Sequence, residues 1–488
     1  MVIQHTMQRR YHASVVTLFL LVLLAGILQA RKCNIIIMIA DGWGYNQILA
    51  TDYWNGSKAG YEDWETAYAM STFNYGENYD GVEAWSNFDY VKLRFTDSAA
   101  AATAMSAGVK TNNRYIGLDH ECKPVEHIIE CAESIGLATG VVTSVEVSHA
   151  TPAGFVAHNR DRGNYTEIAQ EMIEESAVDV IMGAGNPIYD NNGELKTSRF
   201  EYKYVGGEEL WNALMAGTAG GDADGDDAAD PWTLIETMEE FQKLGSGITP
   251  SRVIGVARVK ETLQEKRSGA DKHDLPYADP FIKGIPTLAE MTRGTLNVLD
   301  NDPDGFFLMI EGGAIDWANH DNLLGRMIEE MDDFNRAFDV VVHWVQSRSS
   351  WNETLVIVTG DHETGFLTGP DSGVPGSFSP LVDNGPGQLP GYQFHSGDHT
   401  NSLIPFYAKG RGSDLFITQV VAEDPVRGEY IDNTAIARVI FELLGEWRPV
   451  SRSGQAVVPE SNGAVQGSSE SMKRTDTKPG SGTLPIGK

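Results

Sequence analysis

Short apolar runs recur along the chain at residues 35–39, 138–143, 178–182, 253–256, 306–310, 354–359 and 403–407. Most are β-branched, and none alternates apolar with polar positions. A strand that is apolar at every position is buried on both faces. Between the runs lie segments with helical spacing of apolar residues, including 125–134 and a long stretch from Trp317 to about Gln346. Strands alternating with helices predict an α/β fold: a central, mostly parallel sheet with helices on both faces. In such sheets ligands bind outside the carboxyl ends of the strands.

One helical segment stands apart. Residues 96–111, TDSAAAATAMSAGVKT, are almost all small. Alanine makes the helix easy to form, but it leaves open why Asp97 and Ser98 occupy its first turn. Other segments fall outside the alternation. Arg9 and Arg10 precede an apolar run over 15–28, and Ala30 comes before Arg31-Lys32. The run is short for a membrane span and has the anatomy of a signal peptide over 1–30; an uncleaved anchor is the alternative. No other run approaches ~18 apolar residues. The expectation is an exported protein, periplasmic or extracellular, with no stable membrane span after cleavage. Two stretches, near 195–250 and 365–398, read as surface loop insertions. Residues 451–488 are rich in Ser, Gly, Pro and Lys and are expected to be a disordered, low-complexity tail.

Charge narrows the partners. The chain of 488 residues carries 68 acidic against 37 basic residues, a net −31, which argues against nucleic acid or an anionic membrane as a partner. Acidic residues also hold divalent cations. In DADGDDAAD (222–230), Asp222, Asp224, Asp226 and Asp230 are spaced as in calcium loops, so Ca2+ is a candidate ligand there beside a plain solvated loop. Cys122 and Cys131 could pair in an oxidising compartment or be two unrelated thiols.

The chemistry gathers where the strands end. The run 35–39 leads into Asp41-Gly42, and 138–143 leads to His149 and Thr151. Glu311, Asp316 and His320 follow 306–310, Asp361 and His362 follow 354–359, and His399 precedes 403–407. Singly, each residue could be a turn residue or a hydrogen-bonded histidine. Together they put several carboxylates on one sheet edge, where they repel unless cations sit among them. Mixed Asp/His ligation suits zinc, and an oxygen set with Thr and Glu suits magnesium. Ser98 begins a helix, where the dipole favours an anion. Facing a metal, such a serine can lose its proton and attack phosphorus; without the metal residues it would read as an N-cap.

These residues carry a resemblance. From about residue 33 to 447 the chain resembles the alkaline phosphatases. The matching motifs are IADGWG (39–44), TDSAAAATAMSAG (96–108), SHATPAGFVAHNRDR (148–162), EGGAIDWANHDN (311–322), TGDHETG (359–365) and His399-Thr400. His149 and Trp317 are similar to the marine-bacterial branch. The resemblance implies a catalytic domain over 31–450 that cleaves small phosphate monoesters through a phosphoserine on Ser98. It implies two zinc ions, one at Asp316, His320 and His399, the other at Asp41, Asp361 and His362 with Ser98 beside it. It implies one magnesium ion at Asp41, Thr151 and Glu311, with His149 next to it. Arg162 would clamp the phosphate, Asp97 would orient Arg162, and the chain would be a homodimer. Arg160 and His395 are the neighbouring competitors for the roles of Arg162 and His399. Two rival activities are weaker. The sulfatase pattern wants an arginine two residues after Pro124, where Glu126 stands, and diesterases often use threonine where Ser98 stands. A binding protein without turnover would have no need of Ser98 and Arg162.

Overall fold

The computed structural model describes residues 32–223, 228–373 and 378–447. The expected signal peptide, the tail and the centre of the acidic loop lie outside the described residues.

The strands are β1 (Cys33–Ala40), β2 (Thr66–Ser71), β3 (Ala138–Glu146), β4 (Val180–Ala184), β5 (Thr233–Ile235), β6 (Val253–Val256), β7 (Gly305–Gly312) and β8 (Thr354–Thr359). With Ile404–Gly410, Val420–Asp424 and Gly428–Asp432 they form one 11-stranded sheet. From β8 the order runs β1, β7, β3, β4, β6, β5, all parallel. On the other side of β8 lie Ile404–Gly410, β2, Gly428–Asp432 and Val420–Asp424; Ile404–Gly410 is antiparallel to both its neighbours. β1, β7 and β8 are buried at every position, which explains their unbroken apolar runs. Register aligns Ile39 with Glu311 and with Thr359, and Glu311 with Thr143. The residues that leave β1, β7 and β8 therefore emerge side by side.

Helices cover both faces. Tyr45–Asn55, Leu288–Leu299 and Leu324–Arg348 pack on one, and Ser98–Ala107, Ile128–Ser134, Ala150–Val156 and Thr434–Trp447 on the other. The Ser98–Ala107 helix is buried from Ser98 to Ser106. A Cβ on Gly154 would lie 2.6 Å from the Ala102 Cβ, and the Ser106 hydroxyl donates to the Gly154 carbonyl at 2.5 Å. Its small residues thus answer to a helix-to-helix contact too close for larger ones. Gly108 closes the helix in the left-handed conformation, φ 72°.

Several expectations shift. The 306–310 run extends to Gly312, so Glu311 stands inside the strand instead of after it. The stretch from Trp317 is two helices, Ala314–His320 and Leu324–Arg348, parted near Asn322 at φ 54°. The 195–250 stretch is not separate from the core: β5 adds to the sheet edge and Met238–Leu244 packs on Leu288–Leu299. Trp232, beside the acidic loop, is buried and donates its indole N–H to the Ile173 carbonyl. Cys122 and Cys131 are not joined by a disulfide; the Cys122 thiol donates to the Tyr115 hydroxyl. Among the described residues no helix is long and apolar enough to cross a membrane.

Candidate active site

Ser98 is the first residue of its helix, and Asp97, not Ser98, is the N-cap. Asp97 uses one oxygen to accept from the Ala100 N–H at 3.0 Å. The other accepts from the Arg114 N–H at 2.9 Å and from Arg162 Nη1 at 3.3 Å. The cap and the orienter of the arginine are thus one carboxylate, and the Ser98 hydroxyl is left for other work. Ser98 Oγ is buried, 3.3 Å from His362 Nε2. Arg162 Nη2 points to His149 Nε2 at 3.3 Å. Arg160, two residues earlier, is exposed.

Three groups of ligand-type atoms converge here: Asp316, His320 and His399; Asp41, Asp316 and His362; and Asp41, His149 and Glu311. Within each, the atoms lie within 4.8 Å of one another. Asp361 sits against the second, its Oδ2 3.2 Å from His362 Nε2, while its Oδ1 accepts from the Gly42 and His362 N–H groups. Thr151 is buried, and Glu311 accepts from the Thr143 hydroxyl. His395 is elsewhere, bonded to the Thr368 hydroxyl at 2.7 Å. A cleft of about 400 Å3 opens over Ser98, His149, Arg162, Asp316, Trp317, His320 and His399.

The donor set fits cations on two observations. His320 gives Nδ1 to the Gly397 carbonyl at 2.8 Å, and His399 gives Nδ1 to the Thr96 carbonyl at 2.9 Å. Each Nε2 is then a lone pair. The two Nε2 atoms are 3.1 Å apart, with Asp316 Oδ2 3.2 Å from His320 Nε2. Such a set repels itself unless a proton or a cation stands within it. The second observation is the number of orphans. Both Asp41 oxygens, Asp361 Oδ2, Glu311 Oε1 and Thr151 Oγ1 are buried with no hydrogen-bond partner. Native interiors rarely leave such atoms unsatisfied, and an ion accounts for them.

Electrostatics follow from the crowding. Burial, and then the carboxylates of Asp361, Asp316 and Glu311, push Asp41 well above the usual carboxylate range. Burial pushes Glu311 and Asp361 up to about 7. Burial opposes charge on Asp316 and His320 alike, but their pairing holds Asp316 low and lifts His320 to about 9. Burial, helped by Arg162, lowers His149 to about 3. Because Arg162 can only donate, His149 Nε2 accepts and its proton rests on Nδ1.

Sequence comparison identifies the frame that holds this site. The family model described as alkaline phosphatase matches residues 32–420. The chain belongs to the alkaline phosphatase family. It is 31% identical to Alkaline phosphatase 3 of Bacillus subtilis (strain 168) over 342 residues, 68% of this chain and 61% of that protein. It therefore spans less than two thirds of that relative. Against the alkaline phosphatase of Escherichia coli (strain K12) it is 29% identical over 409 residues, 77% of this chain and 81% of that one. Among solved structures, the alkaline phosphatase of the Antarctic bacterium TAB5 superposes with a TM-score of 0.58 at 24% identity, covering 86% of this chain and 99% of that one. A variant of that enzyme, 25% identical to this chain, is described with magnesium bound.

Some members of this site carry no signal in the sequence alone. Thr143 could have been found from its register opposite Glu311. Thr364, which donates to Asp316, stands at the end of a motif already marked. Lys266 lines the cleft 5.3 Å from the Trp317 ring and pairs with Asp321 at 2.8 Å. It comes from an irregular segment with no signal in the sequence.

Proposed function

We propose that the chain hydrolyses phosphate monoesters to an alcohol and inorganic phosphate, with Ser98 as the nucleophile. The observation that carries this reading is the placement of Ser98 Oγ. It is buried at a helix start among three converging ligand groups, with Arg162 fixed by the residue before it. Zinc suits the N/O sets of Asp316, His320, His399 and of Asp41, Asp361, His362. Magnesium suits the oxygens of Asp41, Glu311 and Thr151. Bound, these ions supply the positive charge that stabilises developing negative charge on the attacking oxygen, the leaving oxygen and the phosphoryl group.

The chain's own residues do the rest. Arg162, held through Nη1 by Asp97, binds the non-bridging oxygens of the phosphoryl group, which bond to neither Ser98 nor the leaving alcohol. Ser98 Oγ attacks phosphorus, and the alcohol leaves from the opposite side. Water then cleaves the phosphoserine, releasing phosphate and restoring the hydroxyl. The helix dipole at Ser98 favours the negative charge held there throughout. His149 accepts from Arg162 and borders the magnesium site; for its Nδ1 to ligate, the ring proton would have to move to Nε2 and the Arg162 contact be given up. Export by the 1–30 segment and a homodimer are part of the same reading. The test is hydrolysis of a chromogenic phosphate monoester, a diester and a sulfate ester, each with and without chelator. The monoester should be preferred and its cleavage lost on chelation. Preference for the diester or the sulfate, or activity indifferent to chelator, would overturn the reading.

A further inference from the structure

A second cluster of metal-type side chains lies outside the cleft. His127 caps the Ile128–Ser134 helix, Glu130 stands one turn on, and His158 follows the Ala150–Val156 helix. Ligand atoms of the three lie within 4.8 Å of one another. None of these residues lines the cleft over Ser98.

His127 shows the clearest sign of a ligand. The His127 side chain is fully buried, and neither ring nitrogen has a hydrogen-bond partner. That is rare for a buried imidazole. Its Nδ1 is 3.4 Å from Glu130 Oε2, whose other partner is the His127 backbone N–H. Its ring stacks on His158, centroids 4.4 Å apart. His158 places Nδ1 3.1 Å from Glu171 Oε1, which also accepts from the His158 N–H. A carboxylate behind one nitrogen is how metal-bound histidines are usually held, with the other nitrogen toward the ion. That other nitrogen, Nε2, donates to the Val125 carbonyl at 3.1 Å and lies 4.0 Å from Glu130 Oε2, so an ion bound there would replace that proton. In a tetrahedral zinc site, neighbouring ligand atoms are about 3.4 Å apart. The spacings found need only a small inward movement. Glu130 is 43% exposed and His158 19%, so an ion and a water molecule can reach the site.

We propose that His127, Glu130 and His158 form a further zinc-type site, with Glu171 positioning His158. Two imidazole nitrogens and one carboxylate are a zinc-type donor set, and water can fill the fourth place. The site would be structural. His158 stands four residues before Arg162, and the same segment bridges to Ile116 through Asn159. An ion there ties the arginine-bearing segment to the start of the neighbouring helix.

The test uses the full chain with zinc as the probe. Wild type, Glu130→Gln, His158→Gln and Glu171→Gln are saturated with zinc and dialysed, and bound zinc is counted by elemental analysis. Glutamine at 130 keeps an acceptor for the capping contact, so that variant should fold. Wild type should hold one zinc more than Glu130→Gln and than His158→Gln. Glu171→Gln should weaken this zinc by about 10- to 100-fold. All three variants should keep monoester hydrolysis when zinc and magnesium are in excess, which separates this site from the proposed catalytic one. Equal zinc content in wild type and in folded Glu130→Gln and His158→Gln would overturn the proposal.

Discussion

The same strands end in two different ways. At their amino ends, most polar groups find one another, with Asn34 Oδ1 an exception. Asp300 accepts from Lys32 at 3.0 Å and from two Arg348 nitrogens at 3.1 and 3.0 Å. The Asn34 amide reaches Ser349 and Thr354, and Thr139 donates its N–H to Asp179 and its hydroxyl to Glu133. At their carboxyl ends, Asp41, Asp361, Glu311, Thr151 and His149 keep atoms that are buried and unsatisfied. An unsatisfied buried polar group costs about 1–3 kcal/mol, more if charged. One end of the sheet therefore stabilises the fold by itself, and the other does so only with the ions proposed for it. Substitutions at the two ends should separate cleanly into losses of activity and losses of stability.

The largest effect belongs to Ser98. Ser98→Ala removes the oxygen proposed to attack and leaves the carboxylates and histidines intact. We expect kcat to fall on the order of 10³-fold or more, with no phosphoserine trapped and bound metal unchanged. Turnover near wild type would take the nucleophile's role from Ser98. Removal of the metals comes next, and it acts on both activity and stability. An ion present at about 1,000 times its dissociation constant adds about 4 kcal/mol to folding.

The metal-free protein should also acquire a pH dependence. Glu311 and Asp361 are raised to about 7 and His320 to about 9. A group raised in the folded state contributes stability that is complete below its ordinary value and lost as pH rises through the raised one. His149 and His362 are lowered, so their effect is spent above the ordinary histidine value of about 6.5. Between pH 6.5 and 9 the metal-free melting temperature should therefore fall more steeply than that of the loaded protein. Raised carboxyls elsewhere, such as Glu146, act on both forms alike. Parallel melting curves for the two forms would break the contrast drawn between the sheet ends.

Arg162→Ala is a smaller step. Charge-assisted hydrogen bonds of about 1.5–3 kcal/mol are lost, so inhibition by phosphate should weaken about 10- to 100-fold. Arg160→Ala should leave it unchanged, since that side chain is exposed. The opposite result would exchange the two arginines.

How far the sequence could be read follows the same division. The strands buried on both faces announce themselves as unbroken apolar runs, and their carboxyl ends announce the site through Asp-Gly and Asp-His steps. Strands away from the centre of the sheet do not. Thr66–Ser71 and Gly428–Asp432 mix exposed and buried positions, and Thr233–Ile235 has three residues, too few for a period. The Thr434–Trp447 helix is amphipathic, but it follows the last ligand motif and bears no ligand of its own. In the site, side chains that face the reaction were visible as motifs. Side chains that hold those in place, such as Thr143, Thr364 and Lys266, were not, because a hydrogen bond across the sheet leaves no spacing in one chain.

The smallest effect should come from the amino end, at Asp300. It is the hub there, yet Arg348 is 64% exposed and Lys32 29%, so water screens much of both attractions. Asp300 also follows the last turn of the Leu288–Leu299 helix, where a negative charge opposes the helix dipole. Asp300→Asn removes the attraction and the opposition together, while its amide oxygen can still accept from Lys32 or Arg348. The net loss should be about 0.5–1 kcal/mol, read as a small fall in melting temperature, with kcat and KM unchanged. Because the strands are stiff and buried, a change at one end could still reach the other through register. A drop in kcat comparable to that of Arg162→Ala would show that it does, and the two ends of the sheet would then have to be treated as one unit.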